Sequence, residues 1–147
     1  MAEILFKERL ARAGLLEDWR VESAGTWGVE GMPATSGAVQ VAGERGLHLE
    51  AHRSRGVTYE FLQEFDLILT MELQHQEALA YEFPDLAGWV HPLSVMAGEA
   101  YSIADPVGQP VEVYRATLNE LDGLLERGFE RIQEEAARGS TRPEMGS

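Results

Sequence analysis

Apolar positions along this chain change their period several times, and each change marks an element. From Ala2 to Ala13 the residues are good helix formers, and Gly14 ends the run, which predicts an opening helix. Trp19-Arg20-Val21-Glu22-Ser23 alternates apolar and polar residues, the period of a short strand. It leads into the loop Ala24-Gly25-Thr26-Trp27-Gly28. Thr35 or Ser36 caps a predicted helix over Gly37 to Arg45, closed by Gly46. Ala51 to Gly56 is polar, and Thr58 with Phe61 and Leu62 opens a short helix. Phe65-Asp66-Leu67-Ile68-Leu69-Thr70-Met71 is a compact apolar run, the pattern of a strand buried on both faces. Glu72 to Phe83 reads as a helix that stops before Pro84. Trp89 to Leu93 reads as a third strand, and Pro92 favours an edge for it. Ser94 to Gln109 is mostly loop. Tyr114, Leu118, Leu121, Leu125, Phe129 and Ile132 recur at three or four residues, which predicts one long helix over Glu112 to Arg138.

Strands separated by helices imply parallel pairing with right-handed crossovers. The expected fold class is therefore α/β, a doubly wound parallel sheet in one domain over residues 1–138, with 139–147 a flexible tail. Two features depart from that pattern. The order begins with a helix, and three strands are few for a parallel sheet.

Composition narrows the function classes. The net charge of −13 opposes binding to nucleic acid and to anionic membrane surfaces, which need clustered Lys and Arg; the acidity otherwise reads as a solubility device. With no cysteine, the chain has no disulfide, thiolate zinc site or cysteine nucleophile. His48, His52, His75 and His91 show no metal-ligand spacing, so neither a metal nor a cofactor is expected. No apolar run is long enough for a transmembrane span, and the start has no apolar core of an export signal; the expected compartment is the cytoplasm.

In open α/β sheets, ligands bind beyond the carboxyl ends of the strands. That rule singles out the loops after Ser23, Met71 and Leu93. Asp105 lies in the last of these, between small or apolar neighbours and before Pro106. A carboxyl held beside a desolvated site is suited to proton donation. Asp-Pro is also the ordinary start of a turn, and the dipeptide alone favours that reading. His52-Arg53-Ser54-Arg55 is a polar cluster that suits either an anion or a solvated connection. Ser23 fits a turn cap, and Trp27 fits either a pocket wall or simple packing.

Taken in order, these pieces resemble the low-molecular-weight protein tyrosine phosphatase family, with its bacterial arginine phosphatases and related arsenate reductases. The residues that carry the resemblance are Met1 to Phe6, Val21 to Thr26, Gly46-Leu47 with His52 to Arg55, Asp66 to Met71, and Asp105-Pro106-Val107-Gly108 with Tyr114-Arg115. In that family a first, central strand leads into Cys-x5-Arg followed by Ser or Thr. The chain opens just after the place of that loop. The resemblance therefore implies a sheet lacking its central strand, and a phosphomonoester hydrolase that is inactive as the chain stands. It implies Asp105 as general acid, Ser23 and His52 as groups that hydrogen-bond the phosphate loop, and Trp27 at the pocket mouth. Val107 stands where many relatives carry an aromatic residue. The implied partner, were the loop restored, is a phosphorylated protein or a small phosphomonoester. The alternative is a non-catalytic pseudo-phosphatase that binds proteins, and a third is an acidic α/β domain with accidental matches.

Overall fold

The computed structural model describes residues 1–25 and 31–141. In chain order its elements are α1 (Ala2–Arg12), α2 (Ser36–Glu44), α3 (Tyr59–Leu62), β1 (Ile68–Thr70), α4 (Leu73–Glu82), β2 (Val90–Pro92), α5 (Leu93–Met96) and α6 (Val111–Gly139), with 3-10 turns at Leu16–Asp18 and Pro84–Trp89. They fall into two compact units. One is Met1–Gly56 with Asp105–Gly123, and the other is Val57–Ala104 with the chain from Leu124 onward.

The first unit is helical. α1 buries Leu5, Phe6 and Leu10, and Gly14 turns the chain out of it at φ +73. The edge of Phe6 meets the Trp19 ring at 5.5 Å and 82°. α2 buries Ala38, Val41 and Ala42, the three-and-four spacing of one helix face. From α6 this unit takes the buried Tyr114, Leu118 and Leu121. A Cβ at Gly37 would lie 2.6 Å from the Tyr114 ring, so only glycine fits there. The expected strand over Trp19 to Ser23 does not form. Gly25 alone pairs, through one parallel bridge to Gly56. Alternation gives a segment strand propensity, but a strand exists only where a partner supplies the ladder hydrogen bonds.

Asp122, on α6, gathers the helices of this unit. Its carboxylate accepts from Arg9 Nη2 of α1 at 2.8 Å and from Nη1 of Arg45, which follows α2, at 3.0 Å. Arg9 Nη2 also donates to the Asp122 carbonyl, and Arg45 Nη2 to Asn119 Oδ1. Burial opposes ionisation of Asp122, but hydrogen bonds from Arg9 and Arg45, and then their charges, outweigh it and hold the carboxyl below the usual aspartate range.

The second unit carries the sheet. β1 and β2 run parallel in the register Ile68↔Val90, Leu69↔His91, Thr70↔Pro92. α4 and the Pro84–Trp89 turn make the crossover. Ile68 and Val90 join Leu62, Leu79 and Leu86 in the core, with Val57, Tyr59 and Phe83 packed against it. Each such side chain contributes about 1.5–3 kcal/mol when fully buried. Both strands are shorter than the sequence predicts, and Pro92, which has no N–H to donate, ends its strand. α5 forms inside the expected loop. Ser94 is wholly buried there, with Oγ donating to the Tyr101 carbonyl at 2.8 Å and accepting the Tyr101 N–H at 3.1 Å. Ser102 Oγ accepts the Leu73 N–H at 2.9 Å, a cap for α4 from far along the chain. The architecture is α/β with a parallel sheet, as the alternating pattern predicts.

Two outcomes follow for the first unit. Gly43 has open space around a Cβ, whereas Gly37 in the same helix abuts Tyr114. Gly43→Ala should therefore stabilise by up to about 1 kcal/mol, and Gly37→Ala should destabilise by about 1–3 kcal/mol. Denaturant melts of the two variants check the contrast, and equal effects would contradict the Tyr114 packing. Asp122→Asn should cost about 1–3 kcal/mol at neutral pH. A depressed carboxyl stabilises above its unfolded value, about 3.9, and that contribution is lost as pH falls through the folded value. The gap between Asp122→Asn and the parent should narrow as pH falls below about 3.9. A gap equally wide there would show that the Arg9 and Arg45 contacts do not set this titration.

Candidate functional site

Ser23, His52 and Asp105, far apart in sequence, meet in the first unit. They line one cleft of about 400 Å³ together with Met1, Gly25, Thr35 and Tyr114. Three structural pieces build it.

The first is the opening turn of α1. Met1 is its N-cap and faces the cleft, so the positive end of the helix dipole points there. Glu3, in that turn, accepts from Ser23 Oγ at 2.8 Å and from Lys7 Nζ at 3.0 Å. Burial works against ionisation of Glu3, but the Lys7 and Ser23 hydrogen bonds and the Lys7 and His52 charges outweigh it, so its carboxyl lies below the usual range. Ser23 is thus fixed to α1 through its side chain.

The second piece is the cluster His52 to Arg55, which stitches two loops together. Arg55 O accepts the Gly25 N–H at 2.9 Å. Ser54 accepts the Gly31 N–H at 2.9 Å, gives its own N–H to Met32 O at 2.7 Å, and accepts the Met32 N–H on Oγ at 3.0 Å. Pro33 and Arg53 close an antiparallel bridge. The polar cluster is a connection, but one whose hydrogen bonds hold the cleft wall in place.

The third piece is the turn at Asp105. Its Oδ1 accepts the Val107 N–H at 3.0 Å, and Gln109 N–H donates to Pro106 O at 2.9 Å. Gly108 sits at φ +80, the third-position conformation that a type II turn requires. The turn reading of Asp-Pro is the one the hydrogen bonds bear out. The dipeptide starts a turn, and that turn sets an exposed carboxylate on the cleft wall. Pro110 then opens α6, whose Tyr114 lines the cleft and whose Arg115 grips Glu44 of α2 at 2.9 and 2.7 Å.

Trp27 lies outside the described residues. Glu3 and Met32 are the participants that sequence reasoning passed over. A glutamate in a first helical turn is ordinary, and only its bond to Ser23 gives it a place here. Met32, 54% exposed, and Val107, 60% exposed, give the cleft an aliphatic margin. Among the described residues, no three His, Asp or Glu side chains gather into a metal-binding group, and no helix is long and apolar enough to cross a membrane.

The arrangement suits proton transfer to or from a group held near the start of α1: an acid on one wall, hydroxyl and imidazole on the other. The protein-arginine-phosphatase of Geobacillus stearothermophilus is 35% identical over 116 residues, covering 78% of each chain. The low molecular weight protein-tyrosine-phosphatase Wzb of Escherichia coli K12 is 36% identical over 108 residues, covering 74% of this chain and 70% of its own. The crystal structure of a low molecular weight protein tyrosine phosphatase from T. tengcongensis superposes with a TM-score of 0.82 at 34% identity, covering 88% of both chains. A sequence profile of the low molecular weight phosphotyrosine protein phosphatases matches residues 1–138, and the chain belongs to that family.

Proposed function

We propose that these residues supply the acid side of phosphomonoester hydrolysis on a phosphorylated protein, with Asp105 as the general acid. The observation that carries this reading is the convergence of Asp105, Ser23 and His52 on one cleft at the N-terminus of α1. In the reaction, a thiolate attacks phosphorus and forms an S–P bond as the bond from phosphorus to the leaving oxygen breaks. The Asp105 proton goes to that oxygen. The resulting carboxylate then takes a proton from the water that hydrolyses the phosphoryl–thiol bond. Ser23 and His52 position the loop that holds the phosphoryl group, and Ser23 does so while tied to Glu3. The G. stearothermophilus relative is named for phosphoarginine and the E. coli one for phosphotyrosine. The same cleft suits either class, the Asp105 proton going to the departing oxygen of phosphotyrosine or to the departing nitrogen of phosphoarginine.

The nucleophile is not among these 147 residues, which contain no cysteine. We therefore infer that the chain as it stands performs no turnover.

Purified chain should leave p-nitrophenyl phosphate intact, and steady turnover abolished by Asp105→Asn would overturn this. The acid role is tested on a chain extended upstream by one strand and a Cys-x5-Arg-Ser loop. There Asp105→Asn should lower turnover by about 10²–10⁴ for poor leaving groups. The loss should shrink for leaving groups that depart as stable anions, while phosphate affinity stays constant. Asp66→Asn and Asp85→Asn serve as controls that keep the leaving-group dependence. An equal loss for all substrates would assign the acid to another residue.

A further inference from the structure

A second concavity of the first unit, about 230 Å³, shares Ser23 and His52 with the cleft. Its remaining walls bring Lys7, Arg53 and Arg55 together with Glu3, Glu22 and Ala51, three cations against two carboxylates in a chain whose net charge is −13. Two of these cations are answered locally. Lys7 pairs with Glu3 at 3.0 Å, and Arg55 reaches Glu22 at 3.4 Å. Arg53 is different. Its Nη1 donates to the carbonyls of Glu50 at 3.0 Å and His52 at 2.7 Å, and no carboxylate pairs with it among the described residues. Two carbonyls thus hold an exposed guanidinium in place without neutralising it. A guanidinium has five donors in a fixed fork, and its best-matched partner is a carboxylate or phosphate.

We propose that this concavity receives an acidic side chain of a peptide, with Arg53 as the group that recognises its carboxylate. The proposal rests on the functional reading above only in placing a phosphorylated residue in the neighbouring cleft. An extended chain advances about 3.3–3.6 Å per residue. Walls shared through Ser23 and His52 therefore put the acidic residue close in sequence to the phosphorylated one. The substrate class is a phosphoprotein segment with Asp or Glu close to the modified side chain. Long-range repulsion from the −13 chain works against such a segment everywhere else on the surface, which localises it here.

The test needs only the 147-residue chain, labelled with ¹⁵N and followed by NMR. Three probes are titrated: a blocked hexapeptide of Gly, Asp and Glu, the same peptide with Asn and Gln, and inorganic phosphate. The acidic peptide should give saturable shifts at Lys7, Arg53 and Arg55, including the Arg53 side-chain N–H. The amide peptide should give none, and phosphate should move Arg53 more weakly than the acidic peptide. Arg53→Gln should weaken the acidic peptide by roughly two- to five-fold, the size expected for one exposed charge pair. Absence of saturable shifts at Arg53, equal shifts with the amide peptide, or a phosphate response as strong as the peptide's would each overturn the proposal. So would unchanged affinity in Arg53→Gln. Should that variant disturb its loop, the parent's shift map decides alone. Failure of the hydrolytic reading leaves the Arg53 shifts intact, and failure here leaves the leaving-group test intact.

Discussion

The cleft depends on a partly buried charge triad that lies away from it. Asp122 of α6 holds Arg9 in the last turn of α1 and Arg45 after α2, and this ties α1 in place on α6. Ion pairs of this kind add little net stability, because desolvation offsets most of the attraction. Their worth is in geometry. Arg9 is buried enough that its Nε finds no partner, so the guanidinium relies on the Asp122 carboxylate and carbonyl. Once α1 is set, Glu3 is set, and Glu3 in turn fixes the Ser23 hydroxyl. The chain of cause runs from an ion pair on α6, through one helix, to the wall of the site.

Backbone hydrogen bonds do the same work on the other side. The segment 31–33 and the segment 52–56 have almost no regular structure, yet Ser54 alone makes bonds to Gly31 and Met32 by backbone and side chain. A site built on such loops is held by many short polar contacts and not by burial. The Asp105 turn follows the same logic, since its carboxylate closes an Asx turn onto Val107 before any ligand arrives. A side chain oriented in advance by its own loop loses little entropy when it engages a ligand.

What the sequence made legible was local in origin. The stripe on α6, the Gly14 and Gly46 stops and the Asp105-Pro106-Val107-Gly108 turn all depend on residues a few positions apart, and all are present. What it hid was non-local. Trp19 to Ser23 has the alternation of a strand, but the partner that would make it one is a matter of tertiary structure. α5 depends on Ser94 reaching Tyr101 within a stretch that has no periodic signal. The role of Glu3 depends on Ser23, twenty residues away. The strand-end rule brought Asp105 and Ser23 into view, but only the family resemblance gave them and His52 roles, because each has an ordinary structural use. Their meeting in one cleft is a property of the fold that no window of sequence contains.

The margin of the cleft bears on which phosphorylated side chain it suits. Val107 and Met32 are both well exposed there, and both are aliphatic. A ring at position 107 would stack on a phenyl ring and add about 0.5–1.5 kcal/mol beyond its area. Valine gives area without that directional gain. Under the proposed function, a planar phenyl leaving group loses its advantage over a flexible alkyl-guanidino one, which needs only width and an apolar stem contact. Discrimination then passes from the rim to two other places: the acid that must match the leaving atom's basicity, and the charged neighbours that read the surrounding peptide. Asp105 serves the first demand whichever atom departs. Under the proposal for Arg53, the second falls to the wall beside His52, and sequence context would then carry more of the specificity than the modified side chain.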